Sequence, residues 1–159
     1  MKRIQYCFLL ILACSLVTMR ASAAAVCSVS STGTAFGAFD TLSGSDKDMI
    51  GTISVTCTGS IGDLANYMIA LSPGGSSSFT SRNMQAGTPQ LSYNLYLDGS
   101  YTSIWGDGTG GSSTVSDSYT LSASSNTKDY TVYGRIPGSG QSGAPAGSYM
   151  DTIVVTLTY

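Results

Sequence analysis

The sequence contains no histidine and no glutamate. The first absence excludes a histidine-based catalytic triad, an imidazole acid–base pair and a His-ligated metal. The second leaves aspartate as the sole acidic side chain, and the nine aspartates stand mostly alone in Gly/Ser loops, so no paired carboxylates mark an acid–base centre. Charged residues make up only 10% of the chain and there is a single tryptophan. A chain without Glu and with few Lys is poor material for helices. Abundant Thr, Ser, Tyr and Gly is good material for strands and turns. No nucleophile–base pair or metal cluster emerges, so the chain reads as non-enzymatic, with no cofactor.

Lys2 and Arg3 precede an apolar run from about Cys7 to Val17, followed by Ala21-Ser22-Ala23-Ala24-Ala25. This is the layout of a secretory signal peptide over 1–23, cleaved between about 21 and 26, and the run is short for a membrane span. Ile11-Leu12-Ala13-Cys14 loosely resembles a lipobox, but Leu12 is bulky there and the apolar run continues past Cys14. The remaining domain, 24–159, is large enough for one core, and no second transmembrane candidate follows. It holds Lys47, Arg82, Lys128 and Arg135 against nine aspartates, four against nine, or a net charge of about −5. Nucleic acid is therefore an improbable partner. Cys27 and Cys57 remain after cleavage, and export to an oxidising compartment predicts that they pair.

Period-two alternation predicts strands at Gly51–Thr58 (Ile53, Val55 and Cys57 inward), Tyr67–Leu71, Leu91–Leu97, Tyr130–Ile136 and Thr152–Tyr159. A weaker strand covers Val26 to about Val29 and resumes at Ala35–Phe39, and a short one is available within Val115–Ala123. Gly-, Ser- and Pro-rich connections separate them. Six or seven antiparallel strands at this spacing predict an all-β, immunoglobulin-like β-sandwich. The final strand has no following hairpin partner, so its outer edge must be paired by something else. Its apolar positions Ile153, Val155, Leu157 and Tyr159 are the candidate lining of a partner-strand groove.

Phe36-Gly37-x-Phe39-Asp40, Gly51-Thr-Ile-Ser-Val-Thr-Cys57, Leu91-Ser-Tyr-Asn-Leu-Tyr96, Trp105-Gly-Asp-Gly-Thr109, Tyr130-Thr-Val-Tyr-Gly-Arg-Ile-Pro137 and Gly147-Ser-Tyr-Met-Asp-Thr-Ile-Val-Val-Thr-Leu-Thr-Tyr159 together resemble the spore coat protein U domain, a family that includes subunits of archaic chaperone-usher pili. The resemblance runs in order along the whole mature chain. It implies an incomplete immunoglobulin-like fold lacking its last strand, completed first by a periplasmic chaperone and then by an extension from a neighbouring subunit. It also implies an outer-membrane usher, passage through the periplasm to the cell surface, and a role in adhesion and biofilm. By the same likeness, the carboxylate of Tyr159 is a point where a basic chaperone residue would anchor.

One departure bears on role. Similar polymerising subunits carry a donor segment of alternating hydrophobics before the first cysteine, whereas cleavage here leaves only Ala24, Ala25 and Val26 or so. A strand that spans a domain needs more residues. The expectation is a subunit that accepts a strand without donating one, at a fibre end or as a minor component. The rival reading is a secreted monomeric glycan-binding sandwich, with Tyr101, Trp105 and Asp107 as a candidate surface ligand loop. Packing of Tyr101 and Trp105 against the sandwich is the competing expectation, and Gly-Asp-Gly reads better as a turn than as a calcium loop. Arg82 and Arg135 are expected to be solvated or locally paired, with Arg135 pointing outward. The leader makes the first testable statement: the intact mass of periplasmic protein should correspond to a start within Ala21–Val26 with no lipid, and an acylated start at Cys14 would reverse that expectation.

Overall fold

The computed structural model describes residues 24–141 and 143–159. The predicted signal segment, with Cys7 and Cys14, lies outside the described residues. Eight strands form in chain order: β1 (Val26–Ser31), β2 (Lys47–Thr58), β3 (Leu64–Leu71), β4 (Arg82–Gln85), β5 (Gln90–Tyr96), β6 (Val115–Thr120), β7 (Ser125–Ile136) and β8 (Val155–Thr158). A five-stranded sheet has the order β1-β2-β7-β5-β4, a three-stranded sheet the order β6-β3-β8, and every strand pairing is antiparallel. The two sheets form the immunoglobulin-like sandwich that the alternation predicts. No helix among the described residues is long and apolar enough to cross a membrane.

The β2 strand shows how sequence becomes layer. Its positions Met49, Gly51, Ile53, Val55 and Cys57 are buried, while Ser54, Thr56 and Thr58 face outward, as period two requires. From β3, Tyr67, Ile69 and Leu71 enter the same core with no more than 2% exposure, and Leu91, Tyr93, Leu95, Val132 and Ile136 join them from β5 and β7. On the outer face, hydroxyls bond across strands: Thr56 with Thr127 at 2.8 Å, and Ser54 Oγ donating to Asp129 at 2.6 Å. These cross-strand bonds favour the register in which apolar residues point inward.

Three elements differ from the alternation. First, β4 went unpredicted because one of its two inward positions is arginine: Arg82 and Met84 are buried, Asn83 and Gln85 are not. Second, the expected continuation of β1 at Ala35–Phe39 has no strand ladder. Gly37 sits at φ +71°, outside the strand region, and the segment crosses the inner face of the large sheet as irregular chain. Third, the final strand is shorter than Thr152–Tyr159: its ladder covers Val155–Thr158, opposite Leu71–Met68 of β3.

Cys27 and Cys57 lie directly opposite each other in the β1–β2 register and form a disulfide across 30 residues of sequence. Both are buried. In the chain-entropy account, a loop of that size stabilises the fold by about 3 to 4 kcal/mol through the unfolded ensemble. The double variant Cys27→Ala/Cys57→Ala should therefore lose a few kcal/mol in urea titration while keeping all-β circular dichroism. An unchanged midpoint would show that the bridge adds nothing to stability.

Candidate functional site

An apolar groove of about 1070 Å³ opens between the two sheets. One rim is the irregular segment 31–42, the other is the chain from Ala144 to Val155, and the floor includes Ile53, Leu71, Met84, Leu91, Tyr93 and Val132. The first rim is seated by two glycines on the inward face of the large sheet. A Cβ on Gly51 would collide with the Thr34 methyl, and one on Gly134 would lie 2.7 Å from Met49 Cε and 3.0 Å from Phe36 Cζ. Thr34 and Phe36 thus fill space that side chains would otherwise take. Phe36 also packs edge-on against Tyr93, with centroids 5.9 Å apart, and Thr32 N donates to Thr52 O at 3.1 Å.

The second rim carries unpaired backbone. Among the described residues, β8 pairs with β3 on one side and with no strand on the other. Ser72 N donates to Val154 O at 2.9 Å. In an antiparallel ladder hydrogen-bonded positions alternate, so the backbone of Val154, Thr156 and Thr158 turns toward β3 and that of Val155 and Leu157 turns to the open edge. The structure therefore brings together an apolar floor and an edge whose N–H and C=O groups lack a strand partner.

The four candidate groove residues divide along this edge. Ile153 and Val155 line the groove and pack on the core. Leu157 packs on the core as well, whereas Tyr159 is 61% exposed and is not among the lining residues. Asp151, ahead of the strand, went unnoticed in the sequence. Tyr93 Oη donates to its Oδ2 at 2.7 Å and Gly75 N to its Oδ1 at 3.0 Å. Burial, reinforced by this bond to a carboxylate, pushes the Tyr93 hydroxyl far above the usual phenol range.

The aromatic loop separates into parts with different fates. Trp105 is fully buried, its Nε1 donating to Ile69 O at 3.3 Å, so it offers no surface for a ligand. Tyr101 takes a left-handed backbone at φ 58° in a loop organised by Asp98, whose carboxylate accepts from Ser103 N at 2.8 Å and Ser100 N at 3.0 Å. Its ring stands edge-on to Tyr96 and Tyr133, and the Arg135 guanidinium covers it at 3.6 Å. Asp107 closes a turn by accepting from Thr109 N at 2.8 Å and Thr109 Oγ1 at 2.6 Å. No group of three or more metal-ligating side chains occurs among the described residues.

Arg135 points outward and pairs with Asp48 at 2.6 Å and Asp46 at 3.0 Å; the bond to Asp48 is the main cause of its raised pKa. Arg82 corrects the expectation of a solvated or locally paired side chain. It is 0% exposed and bonds only neutral acceptors: Asn94 Oδ1 at 2.7 Å, Trp105 O at 2.7 Å and Ser72 O at 2.9 Å. Burial lowers its pKa. The guanidinium ties β4 to β5, to the Trp105 loop and to the end of β3, beside the chain that contacts Val154. Nothing in the sequence separates Arg82 from a loop arginine, because its acceptors are mostly backbone carbonyls.

The described residues thus form an immunoglobulin-like sandwich with an apolar groove beside an unpaired strand edge. The chain belongs to the Spore Coat Protein U domain family, whose profile it matches over residues 13–156. No curated protein matches it. Among solved structures, it is similar to a chain in the crystal structure of the CsuC-CsuE chaperone-tip adhesion subunit pre-assembly complex from archaic chaperone-usher Csu pili of Acinetobacter baumannii, with 19% identity and a TM-score of 0.55. The match covers 85% of this chain but 40% of that one, so this chain spans less than half of the protein it matches. At that identity the likeness concerns the fold.

The Arg82 network yields a direct test. Arg82→Ala should destabilise the domain by about 3 kcal/mol or more, because it strips the Ser72 and Trp105 carbonyls of their donor, leaves Asn94 Oδ1 with Leu95 N alone and opens a cavity. Arg82→Lys should recover only part of this, since an ammonium cannot reproduce the fork that spans them. Equal urea midpoints for wild type and Arg82→Ala would refute the assignment.

Proposed function

We propose that this protein is a non-enzymatic structural subunit of a chaperone-usher surface pilus or coat, assembled by strand addition to the open edge of β8. The observation that carries this reading is the coincidence of that edge with the apolar groove. An extended segment laid along β8 would satisfy the outward backbone of Val155 and Leu157, and its alternate side chains would enter the groove. Membership of the spore coat protein U domain family and a fold like that of a chain in a chaperone–pilus-subunit complex support it.

The partners under this reading are a periplasmic chaperone, an outer-membrane usher and neighbouring subunits, and the route is export through the periplasm to the cell surface. The few residues between the predicted cleavage site and Cys27 support a strand acceptor that does not donate, in a tip or minor position, with adhesion and biofilm formation as the cellular role. The glycan-binding alternative has little support: Trp105 is buried and Arg135 covers Tyr101.

A synthetic donor peptide of alternating apolar and polar residues should bind the processed protein and raise its melting temperature. At a peptide concentration 100-fold above Kd, linkage predicts about 2.7 kcal/mol of added stability. Val155→Asp should abolish the shift. A domain whose cooperative, high-temperature melt is moved by neither donor peptide nor chaperone would be a self-complete fold, and strand addition would have to be abandoned.

A further inference from the structure

The groove has an electrostatic polarity that bears on what fills it, an argument that rests on the strand-addition reading. Among the described residues the cations are largely spent. Arg82 is buried, Lys128 binds Asp117 at 2.8 Å, and Arg135 is held between Asp46 and Asp48, which leaves Lys47 without an ion pair. The groove lining includes no lysine or arginine but two aspartates, Asp40 and Asp151. Both carboxylates are bonded only by neutral donors: Asp40 by Leu42 N at 2.9 Å, and Asp151 by Tyr93 Oη, Gly75 N and Thr152 N. Neither carboxylate is in an ion pair, and only Asp151 feels a cation at longer range, the buried Arg82.

The two aspartates stand on opposite rims. Asp151 is fixed to Tyr93, Phe36 packs on the same Tyr93, and Asp40 follows Phe36 by four residues along the first rim. Asp151 precedes Val155 by four residues and so lies at the end of the groove where the chain approaches β8, away from Thr158, while Asp40 lines the facing rim. A strand seated between the rims would pass this acidic mouth with its outward side chains near both carboxylates.

We infer that the natural occupant of the groove is an extended segment of alternating apolar residues that carries lysine or arginine at the end lying between Asp40 and Asp151. Its apolar positions bind through the floor, while the cation selects the partner and fixes which way the strand lies. An acidic residue at that position meets two like charges beside a low-dielectric floor and is disfavoured.

Four synthetic peptides sharing one apolar alternation test this against the processed protein by calorimetry and thermal shift. One is neutral throughout, one carries two lysines at its first polar positions, one carries them at its last, and one has glutamates in place of the lysines of the tighter cationic peptide. One lysine placement should bind about tenfold tighter than the neutral peptide at 20 mM salt, with the advantage shrinking to about twofold at 0.5 M. The other placement should show little gain, and the glutamate peptide should bind more weakly than the neutral one. Asp40→Asn, which can still accept from Leu42 N, should remove about threefold of the gain. Equal affinities for all four peptides would overturn the inference and leave strand addition intact. Failure of every peptide to bind would overturn strand addition, and the inference with it.

Discussion

Everything else in the molecule is built on the antiparallel ladder between β2 and β7. Twelve residues of β2, Lys47–Thr58, pair in continuous register with twelve of β7, Ser125–Ile136. The ladder fixes which face of each strand is apolar, because a slip of one residue would put Ile53 and Val55 of β2 on the opposite face of the sheet from Val132 of β7. It brings Gly51 and Gly134 onto one face, forming the seat for Thr34 and Phe36. It also supplies the strands on which β1 and β5 are added, and so carries both the disulfide and the tyrosine that anchors Asp151.

The asymmetry between the sheets follows. The large sheet is long and cross-bonded; the small one has three strands and ends on a four-residue strand. Arg82 joins the two layers where the small sheet is weakest. Its donors reach Ser72 O just beyond β3, and Ser72 in turn holds Val154 through its backbone N–H and its Oγ. A buried guanidinium with neutral acceptors is costly to desolvate, and it persists because two of the carbonyls it meets, those of Ser72 and Trp105, would be orphaned without it. The position of β8, and so of one rim of the groove, depends on this polar knot as well as on the short ladder.

The sheet framework was legible in the sequence because strands with one buried face write period two directly: Ile53-Val55-Cys57 and Tyr67-Ile69-Leu71 are such runs, and the structure buries all six. The disulfide pairing followed from two cysteines left after an expected export signal. What was illegible was illegible for physical reasons. In β4, Arg82 breaks the apolar code by occupying a core position with a charge whose partners are remote in sequence. At Ala35–Phe39 the aromatics looked like strand residues, but they serve a rim whose backbone Gly37 takes out of the strand region. Trp105 sits among Gly, Asp and Thr, a context that reads as surface, and only the tertiary fold turns it inward. For the edge, Ile153, Val155 and Leu157 could be read as inward-facing, but the rim opposite them could not.

The span of the β2–β7 ladder has a consequence for time. Its nearest pair, Thr58 with Ser125, is already separated by the whole of β3 through β6, so the central contact of the fold cannot form until most of the chain has been released and a long loop closed. The β1–β2 hairpin has no such delay, because its two strands are near neighbours and the bond between Cys27 and Cys57 can lock them early. Folding is thereby divided into a quick local stage and a slow non-local one. Strands that await distant partners have bare edges during that interval, and aggregation competes with assembly.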